Sequence, residues 1–141
     1  MIEIFIPGAP APQGSKMLMG KQMIEASSKV APWRARAMLF AQSAFPEDWQ
    51  RNGPMNVVVT FILPRAKGHW SKRGGVLPSA PDHPIGRVGD IDKFCRALLD
   101  GLTGVAFNDD SQVVGLGATK RYVWDETEAV GTAVTVSRVD P

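Results

Sequence analysis

Between Gly89 and Val114 the chain carries five acidic residues, every one an aspartate: Asp90, Asp92, Asp100, Asp109 and Asp110. Carboxylates brought close together repel and raise each other's pKa, so a cluster stays ionised only where a cation joins it. Hard oxygen donors favour Mg²⁺ or Mn²⁺, and Mg²⁺ takes few protein carboxylates, keeping waters or substrate phosphate oxygens elsewhere in its shell. The chemistry on offer is metal-assisted work on a phosphate. Asp90, Asp92 and Asp110 can share such a site if the chain folds back between the second and the third. Arg96, four residues after Asp92, falls on the same helical face and supplies a cation for Asp92 or for a phosphate.

The elements that must position these groups follow from the apolar residues among them. Phe94, Cys95, Leu98, Leu99 and Leu102 have the three-and-four spacing of a helix with one buried side. Asp90 and Asp92 open that helix, where unpaired first-turn N–H groups and the positive end of the dipole favour a carboxylate. Gly101 and Gly104 end or loosen it, Asn108-Asp109-Asp110 makes a turn, and an extended run begins at Ser111. A helix rising about 1.5 Å per residue can lie against the returning strand, so Asp110 is expected to approach Asp90 and Asp92.

The same residues carry a likeness. The order Asp90-Ile91-Asp92-Lys93, Arg96, Asp100-Gly101-Leu102, Gly104 and Asp109-Asp110-Ser111-Gln112-Val113, with His83-Pro84 upstream, resembles that of the RusA-type Holliday junction resolvases. Two short motifs recur in order at the right separation. The resemblance implies an endonuclease of small homodimers that binds four-way DNA junctions and cuts paired strands with Mg²⁺, Mn²⁺ being a substitute. It assigns metal binding and catalysis to Asp90, Asp92 and Asp110. The family's prototype has a catalytic Lys where Arg96 stands. Arginine holds a phosphate in a bidentate fork but does not readily give up a proton. Lys93 is the alternative ammonium, about a quarter turn from Asp92.

A chain of 141 residues suits one domain, 1–141, large enough to bury a real core. The net charge of +2 is mild, with the acids gathered at the proposed site and Lys and Arg elsewhere. A metal among those acids would remove much of the repulsion that DNA would meet there. One cysteine excludes an internal disulfide, and His69 and His83 add too few soft ligands for a structural zinc. Cys95 belongs to the apolar side of its helix and reads as a core residue. The opening Met-Ile-Glu-Ile-Phe-Ile-Pro is too short an apolar run for a signal peptide, and no stretch approaches a membrane span. A cytoplasmic protein with no membrane partner is expected.

Elsewhere, Ile2, Ile4 and Ile6 alternate with Glu3 and Phe5 as a first strand that stops at Pro7. The Pro-rich loop to Lys16 offers backbone N–H groups, Ser15 and Lys16 to a phosphate, and the stretch from Met17 to Ser28 fits either a hairpin or a flap. Pro32 suits a first helical turn, with Trp33, Ala37, Phe40, Ala41 and Ala44 on one face and Arg34 and Arg36 off it as solvated charges, the alternative being DNA contacts. Met55 to Leu63, apolar on both sides, predicts a central strand. Between Pro64 and Gly89, the residues Arg65, Lys67, His69, Trp70, Lys72 and Arg73 cluster without an acid. A loop this long is usually functional or disordered. Lys67, Lys72 and Arg73 there, with Lys16, suit phosphate contacts, while Trp70 suits stacking on an exposed base; the alternative is a solvated loop with Trp70 packed under it. Gln112–Trp124 and Ala129–Val139 predict a final hairpin, with Lys120 and Arg121 on its solvent side.

The expected architecture is β-loop-α-β-loop-α-β-β, an α/β (α+β) fold with a mixed sheet and two helices packed on it. A reading from another class is a non-catalytic DNA-binding or protein-interaction module, in which the aspartates only cap a helix and shape a turn. That reading requires no divalent ion, and it leaves the repeated aspartates of both motifs without a cause.

Overall fold

Ile4 and Ile6 are buried while Glu3 and Phe5 between them are exposed, the alternation of a strand with one covered face. This strand, β1 (Ile2–Pro7), opens a computed structural model that describes residues 1–14, 16–19, 22–25, 28–86 and 88–140, with the backbone alone for 16–19 and 22–25. The other elements are β2 (Lys16–Met19), β3 (Gln22–Glu25), α1 (Val30–Ala44), β4 (Met55–Leu63), α2 (Ile91–Leu102), β5 (Val113–Tyr122) and β6 (Gly131–Arg138). Single 3₁₀ turns lie at Lys67–His69 and Asp110–Gln112. The main sheet runs β1-β6-β4-β5, and β2 pairs antiparallel with β3 in a separate two-stranded ribbon; residues 20, 21, 26 and 27 of the stretch expected as hairpin or flap lie outside the described residues.

This is a single-domain α+β fold with a mixed sheet, as expected. β4 lies inside it, parallel to β5 and antiparallel to β6. The predicted hairpin between the last two strands does not form, because β4 separates them. Residues 123–130 instead pass over the end of β4, where the Val123 N–H donates to the Leu63 carbonyl at 3.1 Å. Crossing two strand spacings of about 4.8 Å each takes more chain than a tight hairpin turn. The β-branched run of β4 gains two ladders of hydrogen bonds from this order rather than one.

Both helices cover the same side of the sheet. Val57, Val59 and Phe61 of β4, with Val134 and Val136 of β6, meet Trp33, Ala37 and Ala41 of α1 and Phe94, Leu98 and Leu102 of α2. Each large apolar side chain buried here contributes about 1.5–3 kcal/mol, and the Phe61 and Phe94 rings stand 5.2 Å apart. The other side of β4 is open, since Val58 is 49% exposed; both-sided burial of this strand was expected and does not occur. Phe40 is also displaced from its expected buried face.

Gly101 does not end α2. It lies within the helix, buried, where a Cβ would come within 3.0 Å of the Ala37 Cβ and 3.2 Å of the Arg34 carbonyl oxygen. Its missing side chain is what lets α1 and α2 approach, which brings Arg34 of one helix against Asp100 of the other.

Candidate active site

The exposed stripe of α2 carries Asp92 in its first turn, Arg96 one turn later and Asp100 one turn after that. Residues four apart stack along one face, while Phe94, Cys95 and Leu98 point inward. Asp90 is the N-cap, as its position predicts, but its side chain makes no capping hydrogen bond. Its carboxylate instead lies 4.0 Å from the Lys93 ammonium.

Asp110 reaches the site by a different route. Asp109 caps the short 3₁₀ turn, accepting from the Ser111 N–H at 3.0 Å, and Gln112 closes the capping box. The Gln112 amide oxygen accepts from the Asn108 and Asp109 N–H groups at 2.8 and 2.9 Å, and its amide nitrogen donates to the Arg51 and Gly53 carbonyls at 2.7 and 2.8 Å. The Asp-Asp-x-Gln string therefore divides its labour. Asp109 and Gln112 build the turn, and the Ser111 side chain, followed by the Ser111 N–H, holds the Asp109 carboxyl below the usual carboxylate range. Asp110 is left exposed, beside the first residues of β5.

Asp92, Arg96, Asp100 and Asp110 line one open cleft of about 710 Å³, with Gln13 and Leu116 on its walls. Helix α2 and the turn before β5 thus bring together two of the three aspartates expected to converge. Asp90 is not part of this lining. Among the described residues the Asp92 and Asp110 carboxylates make no hydrogen bond or ion pair, whereas Asp100 lies 3.7 Å from the Arg34 guanidinium. Arg34 also donates to the Gln13 amide oxygen at 3.3 Å, so it is a fixed wall of the cleft rather than a solvated charge. The Cys95 thiol is buried, and that burial, followed by the charge of Asp92, pushes its pKa up.

Among the described residues no three His, Cys, Asp or Glu side chains stand together as a ready metal cage. Mg²⁺ seldom needs one. It is commonly held by one or two carboxylates, with waters and substrate phosphates completing the shell. Two uncommitted carboxylates on one open cleft meet that demand. Arg96, exposed beside them, adds a donor fork matched to phosphate oxygens.

A family model for the endodeoxyribonuclease RusA matches residues 7–137, a span that takes in both helices and every residue of this cleft. The chain belongs to the RusA endodeoxyribonuclease family. No curated protein matches it. Membership makes this RusA-family chain a nuclease acting on DNA, and it counts against the alternative of a non-catalytic module. No helix among the described residues is long and apolar enough to cross a membrane.

The basic arm of this RusA-family chain is anchored at its root. The Arg65 side chain, 1% exposed, donates to the Val123 and Pro81 carbonyls, lies 3.8 Å from Asp82 and stacks on Tyr122. Lys67, Lys72 and Arg73 are exposed beyond it. Trp70 is half-buried, bridged to Val76, and walls a small cavity with Asp125, Glu126 and Glu128. Lys16 lies on β2, where the backbone alone is described, and Ser15 is outside the described residues. Lys120 and Arg121 are not solvent-facing spares: Lys120 donates to the Gly89 carbonyl at 2.9 Å, and Arg121 grips Glu128 with two bonds of 2.7 Å. Lys120 thereby ties β5 to the residue before Asp90. The cleft residue that sequence reasoning passed over is Asp100, although its eight-residue distance from Asp92 already placed it on the same helical stripe.

Proposed function

We propose that this chain is a Mg²⁺-dependent, structure-specific endodeoxyribonuclease that resolves four-way DNA junctions by paired nicking, working as a homodimer. The observation that carries the reading is the pair of uncommitted carboxylates, Asp92 and Asp110, facing one cleft with Arg96 in a chain of this family. Asp92 and Asp110 hold the ion, and Asp90 joins them once its contact with Lys93 is released. Such an ion, when bound, would make a bound water more acidic and would offset negative charge on the departing 3′ oxygen. Arg96 binds the non-bridging oxygens of the scissile phosphate and stabilises the charge that grows on them. It cannot serve as a proton donor, so proton movement is left to water and the carboxylates. Lys93, once released from Asp90, adds a second positive charge near the strand.

Lys16, Lys67, Lys72 and Arg73 neutralise phosphates of the junction arms. Trp70 offers the exposed part of its ring to a base, but the acids around its cavity oppose a close phosphate, so the arm's cations supply most of its affinity. Two-fold symmetry in a dimer would set two clefts against the two opposed strands of a junction.

The test is cleavage of a synthetic four-way junction and of linear duplex, each in Mg²⁺, in Mn²⁺ and in EDTA, with light scattering of the purified protein. Paired nicks in the junction alone, only with a divalent ion, and a two-chain mass are expected. Equal cutting of linear duplex removes junction specificity, cutting in EDTA removes the metal, and a monomeric mass removes the two-site arrangement.

A further inference from the structure

The main sheet has two edges, and they are built differently. An edge strand offers a row of unpaired N–H and C=O groups to any strand that can reach it, and shortness, charge or proline blunts that offer. At one edge, β1 is six residues long, carries Glu3 and ends at Pro7. At the other, β5 is ten residues long and has neither charge nor proline from Val113 to Thr119. Val114 and Leu116 of this run are 65% and 46% exposed.

Both ends of the β5 edge are closed, and its middle is open. A register shift against β4 at Met55–Asn56 marks the start of the strand. Near its finish the Tyr122 N–H points away from β4 and donates to the Asp82 carbonyl at 2.9 Å. Backbone groups two residues apart on a strand share a direction, so those of Leu116 and Ala118 also point outward. Among the described residues no strand and no backbone hydrogen bond reaches them.

We propose that β5 pairs antiparallel with β5 of a second copy of this chain, about a two-fold axis at Leu116, joining two four-stranded sheets into one. The strand's own polarity names the occupant. Asp109 and Asp110 stand just ahead of β5 and Lys120 near its end, while Arg121 is already neutralised by Glu128. With Leu116 opposite Leu116, Ala118 faces Val114 and Lys120 faces Gln112, so the acidic end of each strand lies beside the basic end of the other. Such an isologous contact is self-complementary, whereas parallel pairing would set like charges together. Gly115 falls opposite Gly117, where no side chain obstructs the approach. Val114, Leu116 and Ala118 exchange about four to six main-chain hydrogen bonds, and the two exposed Leu116 side chains cover each other.

The pairing deepens the homodimer of the preceding reading, on which it rests for its stoichiometry, and it has a consequence at the active site. Leu116 and Ala118 are walls of the Asp92 cleft. Residues directly opposite in an antiparallel pair point to the same face of the sheet. The two clefts therefore open on one side of the dimer, and their walls meet across the axis. A single DNA molecule laid over the joined walls reaches both sets of carboxylates.

The test is sedimentation equilibrium of the whole chain. The wild type should have a two-chain mass. Leu116→Lys and Leu116→Glu each set like charges opposite one another at the axis and should weaken self-association by about 100-fold or more, leaving a single-chain mass. Mixed in equal amounts, the two variants should recover the two-chain mass, which misfolded chains could not do. A two-chain mass retained in Leu116→Lys alone, or a mixture that stays single-chain, overturns the β5 pairing and leaves the homodimer standing. A single-chain wild type overturns both, and junction cleavage in Mg²⁺ reports on the nuclease reading separately.

Discussion

Two groups of acids in this molecule are treated in opposite ways. At the turn joining β5 to β6, Asp125 accepts from the Thr127 hydroxyl and from the Thr127 and Glu128 N–H groups, while Glu128 accepts from Arg121 twice and from the Trp124 N–H. Both carboxyls are held below the usual range, Asp125 chiefly by the Thr127 side chain and Glu128 chiefly by Arg121. At the cleft, Asp92 and Asp110 accept nothing from the described residues. The acids that this fold uses for its own shape are saturated by it, whereas Asp92 and Asp110 are left open to the cleft. Glu3 and Glu47 are also without a partner among the described residues, so what sets Asp92 and Asp110 apart is that they are open and share one cleft with Arg96.

The largest break in that contrast should come from neutralising the cleft. Asp92→Asn and Asp110→Asn should each lower junction cleavage in Mg²⁺ by about 100-fold or more, the loss of roughly 3 kcal/mol of charge stabilisation. Thermal melts should be unchanged, because neither side chain makes a bond that the substitution removes. Cleavage retained in Asp92→Asn takes that residue out of the mechanism.

Glu128→Gln should do the reverse. It takes a charge-assisted pair from two partly buried side chains and should cost about 2 kcal/mol of stability, read as a lower denaturant midpoint, while cleavage of the folded enzyme persists. The pH dependence has a definite sign. A glutamate whose folded pKa is depressed contributes fully above its unfolded value, near 4.3, and loses that contribution as pH falls through the folded value. Wild type should therefore lose its advantage over Glu128→Gln below about pH 4. An equal gap at pH 3 and pH 7 would show that the pair does not act through charge.

A third measurement sharpens the comparison from the side of the ion. If unsatisfied carboxylates await a cation, Mg²⁺ at ten times its dissociation constant should stabilise the wild type by about 1.4 kcal/mol. The same addition should leave the Asp92→Asn, Asp110→Asn double variant unmoved and should still stabilise Glu128→Gln. Equal stabilisation of all three places the ion elsewhere.

Legibility in the sequence followed the range of the interactions. The helix ending at Leu102, the strand at Met55–Leu63 and the placing of Asp92 and Asp110 on one cleft were readable because period and chain reversal are local properties. The order of the last strands was not. Which neighbour β5 takes depends on competition for β4, and no residue within β5 encodes it. Gly101 looked like a helix end because its reason for being glycine is the distant Ala37 Cβ and Arg34 carbonyl. Arg65, Lys120 and Arg121 likewise looked like surface charges, since their partners lie tens of residues away or across a turn whose path the sequence did not reveal. The division of roles inside Asp109-Asp110 was hidden for another reason: both residues have the same chemistry, and only the hydrogen bonds tell them apart.

That division yields the smallest expected effect and the sharpest use of the contrast. Asp109 acts through one oxygen that accepts from the Ser111 N–H at 3.0 Å, and asparagine fills an N-cap about as well as aspartate. Asp109→Asn should therefore keep the turn, keep Asp110 at the cleft and change cleavage by no more than about twofold. The neighbouring Asp110→Asn removes the same charge one residue away and should abolish it. If the two substitutions are equally damaging, the total negative charge near the scissile phosphate governs the reaction, and the distinction between saturated and open carboxylates loses its functional meaning. If Asp109→Asn alone is damaging, the turn rather than Asp110 holds the catalytic group, and the cleft must be redrawn around the Asp109 side chain.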